Sequence, residues 1–152
     1  MQPSQISLTY WSVVQQCTSL NTFKNFGLGK VASVTTTIKE EKRPWGRFER
    51  FTLNEQCTVK LVYVDGDKRL SLQYHNNHSE FWKVVKGPVK VQVGRSKETL
   101  ETKSLQTGDT ITIPRKAIHR LIGAGTDAII LEISTGEFDE SDIVRLEDDY
   151  KR

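Results

Sequence analysis

From position 42 onward the chain is divided into short runs rich in β-branched and aromatic residues, with turn formers between them. The runs are Phe48–Leu53, Thr58–Val64, Arg69–His75, Glu80–Lys86, Val89–Val93, Thr110–Ile113 and Ala128–Ser134. Asp65-Gly66-Asp67, Lys86-Gly87-Pro88 and Thr107-Gly108-Asp109 are the clearest breaks. Branched and aromatic side chains suit a pleated, half-buried surface, so these runs read as strands. They recur roughly every ten residues with no helical period between them, which indicates an antiparallel sandwich or barrel. The expected fold class is therefore all-β. One helix signal stands at the end. Asp139-Glu140-Ser141-Asp142 supplies capping side chains and early acidic residues ahead of Ile143–Leu146, which predicts a short C-terminal helix.

The first forty residues have a different character. Met1–Glu40 is rich in Ser, Thr, Gln and Asn and keeps no sustained period, apart from a short helical stretch expected around Tyr10–Gln16. Residues 1–41 are expected to form a poorly ordered or loosely docked extension, and 42–152 the domain. Gly27-Leu28-Gly29-Lys30 lacks the spacing of a phosphate loop. No apolar run approaches the ~20 residues of a membrane helix. A net charge of +3 without clustered basic residues argues against a nucleic-acid binder. Cys17 and Cys57 share no metal or disulfide spacing, and no signal-peptide layout precedes them, so a cytoplasmic protein is expected.

Within Arg69–His75, strand geometry sends Arg69, Ser71, Gln73 and His75 to one face and Leu70, Leu72 and Tyr74 to the other. The polar face either meets water or lines a ligand cavity. In the second case the apolar face needs covering, and a homodimer across it is expected.

The chain has three histidines, and their spacing favours the cavity. Gln73-x-His75 is followed by Glu80 and then Gly87; later come Gly108, Pro114 and His119. This resembles the paired motifs of the cupin superfamily, with Gln73 where the first histidine of HxH is expected. The spacing makes physical sense. Side chains at i and i+2 point the same way from one strand, the Glu comes from the next strand, and the second His from a later hairpin. Gln73, His75, Glu80 and His119 would hold one divalent ion with positions left open for substrate. Zinc is the first expectation, with cobalt, manganese or magnesium as alternatives.

A closer resemblance covers roughly the last 110 residues. Arg43-Pro44-Trp45-Gly46, Arg69-Leu70-Ser71-Leu72-Gln73, Glu80 with Trp82, Ile113-Pro114, His119-Arg120 and the segment Asp142–Tyr150 occur in order. The series is similar to the type II mannose-6-phosphate isomerase domain, often the C-terminal part of bifunctional mannose-1-phosphate guanylyltransferase/isomerase enzymes. It implies a single cupin barrel standing alone, with metal-dependent interconversion of mannose 6-phosphate and fructose 6-phosphate through an enediol. Such a reaction moves a proton between C1 and C2, needs charge stabilisation at oxygen, and needs cations for the phosphate. Glu80 and Arg120 are candidate catalytic groups, and His78, which stands where the family carries an arginine, is a candidate to take over a base role. Arg69, Lys68, Arg115 and Lys116 are candidates for the phosphorylated sugar, with Trp82 as a stacking wall. The cations are also ordinary surface charges taken singly, and Trp82 reads equally as a core aromatic.

The motif departs from the family between Tyr74 and Trp82. Asn76 and Asn77 stand for histidines, His78 for an arginine and Phe81 for a histidine. These changes favour a second expectation, a non-catalytic cupin module that binds a sugar phosphate or nucleotide sugar. Another cupin enzyme, such as a sugar epimerase or an iron dioxygenase, is the third.

Overall fold

The computed structural model describes residues 38–151, which fall within the unit Ala32–Arg152. The expectations for residues 1–37, including the helix around Tyr10–Gln16 and the setting of Cys17, lie outside the described residues. β1 (Lys39–Arg43), which spans the boundary expected before Lys42, pairs with β2 (Gly46–Arg50) as a hairpin.

Nine further strands build two antiparallel sheets. They are β3 (Cys57–Val64), β4 (Leu72–His75), β5 (His78–Lys86), β6 (Val89–Gly94), β7 (Glu101–Leu105), β8 (Thr110–Ile113), β9 (Ile118–Gly123), β10 (Ala128–Gly136) and β11 (Ile143–Glu147). One sheet runs β3-β10-β5-β8 and the other β11-β4-β9-β6-β7. β10 lies between β3 and β5, and its run Ala128–Leu131 is apolar on both faces, as a central strand requires. The inner faces meet in a core of Val64, Trp82, Val84, Ile113, Ala128 and Ile130 from the first sheet and Val89, Val91 and Leu121 from the second. This is the all-β cupin sandwich that the motifs imply. Among the described residues, no helix is long and apolar enough to cross a membrane.

Two glycines are needed for local geometry. Gly108 takes φ +96° in the turn before β8, a region that side-chain-bearing residues avoid. Gly136 has φ +117°, and a Cβ there would come within 2.6 Å of the Asn77 carbonyl oxygen, so only glycine lets β10 pass the β4–β5 turn.

Two expectations need correction. The C-terminal helix stops after one 3-10 turn, Glu140–Asp142, capped as expected by the Asp139 side chain accepting from Ser141 N. Ile143–Glu147 then forms β11 along β4, because the branched Ile143 and Val144 pack better on a sheet edge than in an isolated turn. Of the residues expected on the apolar side of Arg69–His75, Leu72 is 1% exposed within the chain and Leu70 packs against the interior core. Finally, β7 and β9 belong to the sheet although neither was expected. β7 is a largely polar edge strand bonded only to β6, and β9 carries His119 and Arg120 in mid-strand, so neither displays a hydrophobic alternation.

Candidate metal centre

Two sheets contribute to one buried cluster at the end of the sandwich. β4 supplies Gln73 and His75, β9 supplies His119, and β5 supplies His78 and Glu80. Gln73 and His119 are register partners, which brings the two motifs onto one face. On β5 the alternation points Glu80, Trp82 and Val84 inward.

Glu80 is the hub. Its Oε1 lies 3.0 Å from His75 Nε2 and 3.5 Å from His78 Nε2, and its Oε2 lies 3.3 Å from His119 Nε2. All four side chains are at most 4% exposed, so this polarity has no access to bulk water. Burial alone would push the Glu80 carboxyl up. The approach of His119, His75 and His78 more than reverses that and holds it well below the usual carboxylate range.

The donors fit a divalent cation. His119 Nδ1 donates to the Ala117 carbonyl at 2.9 Å, which fixes the tautomer and leaves Nε2 free to ligate. Buried His119 Nε2, His78 Nε2 and Glu80 Oε2 have no hydrogen-bond partner, an unfavourable state for the protein alone and the expected one for ligands facing a shared ion. His75, Glu80 and His119 bring their ligand atoms within 4.8 Å of one another. Imidazole with carboxylate suits zinc and its first-row neighbours. Gln73 reaches the cluster, but its Oε1 accepts from Ser71 Oγ at 2.7 Å and its Nε2 faces His75 at 3.4 Å. In that orientation it presents an amide nitrogen, and ligation requires the amide flipped.

Of the four departures from the family motif, only His78 reaches the cluster. Phe81 points to the outer face of β5 and packs on Phe51 with ring centroids 6.0 Å apart. Asn76 and Asn77 form the β4–β5 turn and are latched by Asp142. Its Oδ2 accepts from Asn76 N at 2.9 Å and Asn77 N at 2.8 Å, and its Oδ1 accepts from Asn76 Nδ2 at 3.0 Å. The Asn77 backbone bond is the main reason the Asp142 carboxyl titrates below its ordinary range. His78 stacks on His75 with centroids 4.2 Å apart, and its Nδ1 stands 3.8 Å from Asp142 Oδ2. Because the latch orients both histidines, Asp142→Ala is expected to weaken metal affinity about tenfold. Competition with a chromogenic chelator measures it, and unchanged affinity would show that the turn holds without the latch.

The other expected site residues divide. Trp82 is buried and meets the His119 ring edge-on at 5.6 Å, so it backs a ligand from the core and presents no open stacking wall. Arg115 lies at the β4–β5 turn, with a terminal nitrogen 2.8 Å from where a Gly136 Cβ would stand. Lys116 is exposed, and its backbone N donates to the His75 carbonyl at 2.7 Å. Three cations leave the cluster. Arg69 makes two bonds to Asp149, at 2.7 and 2.9 Å; Lys68 pairs with neighbouring Asp67; and Arg120 lies on the opposite face of β9 from His119, paired with Glu147. Arg69 was expected on the ligand face by strict alternation, but regular strand begins only at Leu72.

Three residues near the cluster were not anticipated. Glu132 on β10 shares the inward face with Ser134 and Ile130, and it is 7% exposed. Burial first, then the charge of Glu80, push its carboxyl up to about 7 against the pull of Lys60 and His119. Lys60, its register partner on β3, lies 3.8 Å from Glu132 Oε1, 3.3 Å from Glu140 and 3.8 Å from the Phe138 ring centroid. Arg145 pairs with Gln73 in the sheet and so projects from the ligand face. A signal for the first was available, since Glu132 is the lone charge in the apolar run Ile129–Ile133.

The family model described as mannose-6-phosphate isomerase C-terminal matches residues 31–148. The chain belongs to this family. Among curated relatives, mannose-1-phosphate guanylyltransferase ManC of Salmonella typhimurium is 34% identical over 116 residues, covering 75% of this chain and 23% of the relative. Alginate biosynthesis protein AlgA of Pseudomonas aeruginosa is 36% identical over 122 residues, covering 79% and 24%. The chain thus spans about a quarter of the length of these relatives. Among solved structures, the 3,4-ketoisomerase QdtA of Thermoanaerobacterium thermosaccharolyticum superimposes with TM-score 0.56 at 15% identity, covering 71% of this chain and 83% of that one. CapF of Staphylococcus aureus gives 0.55 at 17% identity, covering 73% and 34%. At such identities these likenesses bear on the fold alone.

Proposed function

We propose that this chain is a metal-dependent isomerase that interconverts mannose 6-phosphate and fructose 6-phosphate. The observation that carries the reading is the Glu80-centred set of His75, His78 and His119, buried, unsatisfied, and built on the family's fold. A divalent ion held by His75, Glu80 and His119, zinc being the first choice, would supply Lewis-acid polarisation of the substrate oxygens. The protein's own groups would do the rest. Arg145, Lys60 and Arg115 are the cations best disposed around the cluster to take the phosphate, with Lys116 at the same rim. The two sheets exclude water from the reacting carbons, which protects an enediol from side reactions.

A coupled assay that follows fructose 6-phosphate from mannose 6-phosphate tests the reading. Turnover is expected with zinc, cobalt or manganese supplied, and its loss after chelation. A protein that binds the sugar phosphate yet gives no turnover with any of these metals is instead the binding module. His78 in place of the family's arginine is the observation that favours that alternative.

A further inference from the structure

We infer that Glu132 is the proton carrier of this site, the carboxyl that moves hydrogen between C2 and C1 of the sugar. The inference rests on the isomerase reading and assigns the one role that the ligand set leaves open. His75, Glu80 and His119 are committed to the ion. A proton carrier must share their cavity without joining them.

Glu132 meets that requirement by position. In the β10–β5 register Ser134 stands opposite Glu80 and Glu132 opposite Trp82, so Glu132 is the diagonal neighbour of Glu80 on the same inward face. Diagonal neighbours on one face of an antiparallel sheet lie about 7–8 Å apart, close enough for both side chains to reach a common substrate. Its own contacts are few. Ser134 Oγ donates to Oε1 at 3.4 Å, and Lys60 Nζ lies 3.8 Å away, with the side chain of Lys60 34% exposed. The charges that act on it are those of Glu80, His119 and Lys60. In the strand order β3-β10-β5, Glu132 thus sits between the buried Glu80 and the partly exposed cation Lys60, as a substrate bound by its carbonyl end at the cluster and its phosphate at Lys60 requires.

The step balances without another reactant. The Glu132 carboxylate takes the proton from C2, the C2–H pair becomes the C1=C2 bond, and the carbonyl pair moves onto O1. Glu132 returns its proton to C1 with the C1=C2 pair, while O2 gives its proton to O1 and C2 becomes the carbonyl. Aldose has become ketose, and no electrons have left the substrate.

The test compares metal-loaded wild type with Glu132→Gln, reading kcat, KM, metal content and wash-out of C2 deuterium from [2-2H]mannose 6-phosphate into solvent. For Glu132→Gln, kcat and wash-out should both fall about 10²–10⁴-fold with KM and metal content unchanged. Glu132→Asp, which keeps the acid but shortens its reach, should recover part of kcat. A Glu132→Gln protein that turns over within a few-fold of wild type overturns the proposal and leaves the isomerase standing. Equal losses in metal content and kcat overturn it in favour of a structural role. An inactive, metal-loaded wild type overturns the isomerase reading and this assignment together.

Discussion

Addition of zinc to the metal-free protein is expected to raise its unfolding midpoint by roughly 10 °C when free zinc exceeds its dissociation constant about 100-fold. A ligand that binds only the folded chain stabilises it by RT ln(1 + [L]/Kd), about 2.7 kcal/mol at that concentration. The folded chain offers a preformed set, because the ligand atoms of His75, Glu80 and His119 already converge, with His119 oriented through the Ala117 carbonyl. The unfolded chain has these residues strung over more than forty positions and cannot assemble them. Glu80→Gln replaces the anionic hub by a neutral amide and is expected to erase most of the zinc response. Scanning calorimetry with zinc, cobalt and manganese, with chelator as control, measures both proteins. An unchanged midpoint with all three metals would falsify the metal centre.

Glu132→Gln is expected to gain stability over the parent as pH rises, by about 3 kcal/mol between pH 4.5 and 7 in the metal-free protein. The folded-state pKa is raised from 4.5 to about 7, so over this window the native protein holds a proton that the unfolded chain has released. Stability from this group is fully present below pH 4.5 and declines as pH climbs through the folded value. Glutamine does not titrate and loses nothing. The contributions of Glu80 and Asp142 run the opposite way, since their lowered pKa values confer stability that disappears on acidification. The Asp142 contribution is common to both proteins, whereas Glu80 and Glu132 act on each other's charge, so the difference between the two denaturant titrations reports Glu132 together with its coupling to Glu80. A difference that stays constant with pH would show that the carboxyl is not desolvated.

Much of the fold and part of the site were legible from residue order. The strand runs and their turns indicated an antiparallel sandwich, and β3, β5, β6, β8 and β10 formed close to the expected runs. His75, Glu80 and His119 converge as their spacing implies, because side-chain alternation along β4, β5 and β9 is a local property. Alternation misled only where the strand was not regular. Leu70 and Arg69 precede the start of β4, so the parity counted back from His75 did not hold for them. The helix expected at Ile143–Leu146 failed for a different reason. Its capping signals were real, but the free edge of β4 offered those residues a ladder, and sheet pairing outweighed local propensity.

The sequence by itself determined the strand class, the family and the identity of the metal-ligand candidates, since motif spacing and alternation act over a few residues. Only the tertiary structure decided which polar residues share the cavity. Glu132 and Lys60 come from β10 and β3, and Arg145 from the exposed edge strand β11, each placed on that side of its sheet by register. Arg69, Lys68 and Arg120 are taken away by Asp149, Asp67 and Glu147. Register between distant strands and competition among charged partners are long-range properties, set by which faces must be buried together.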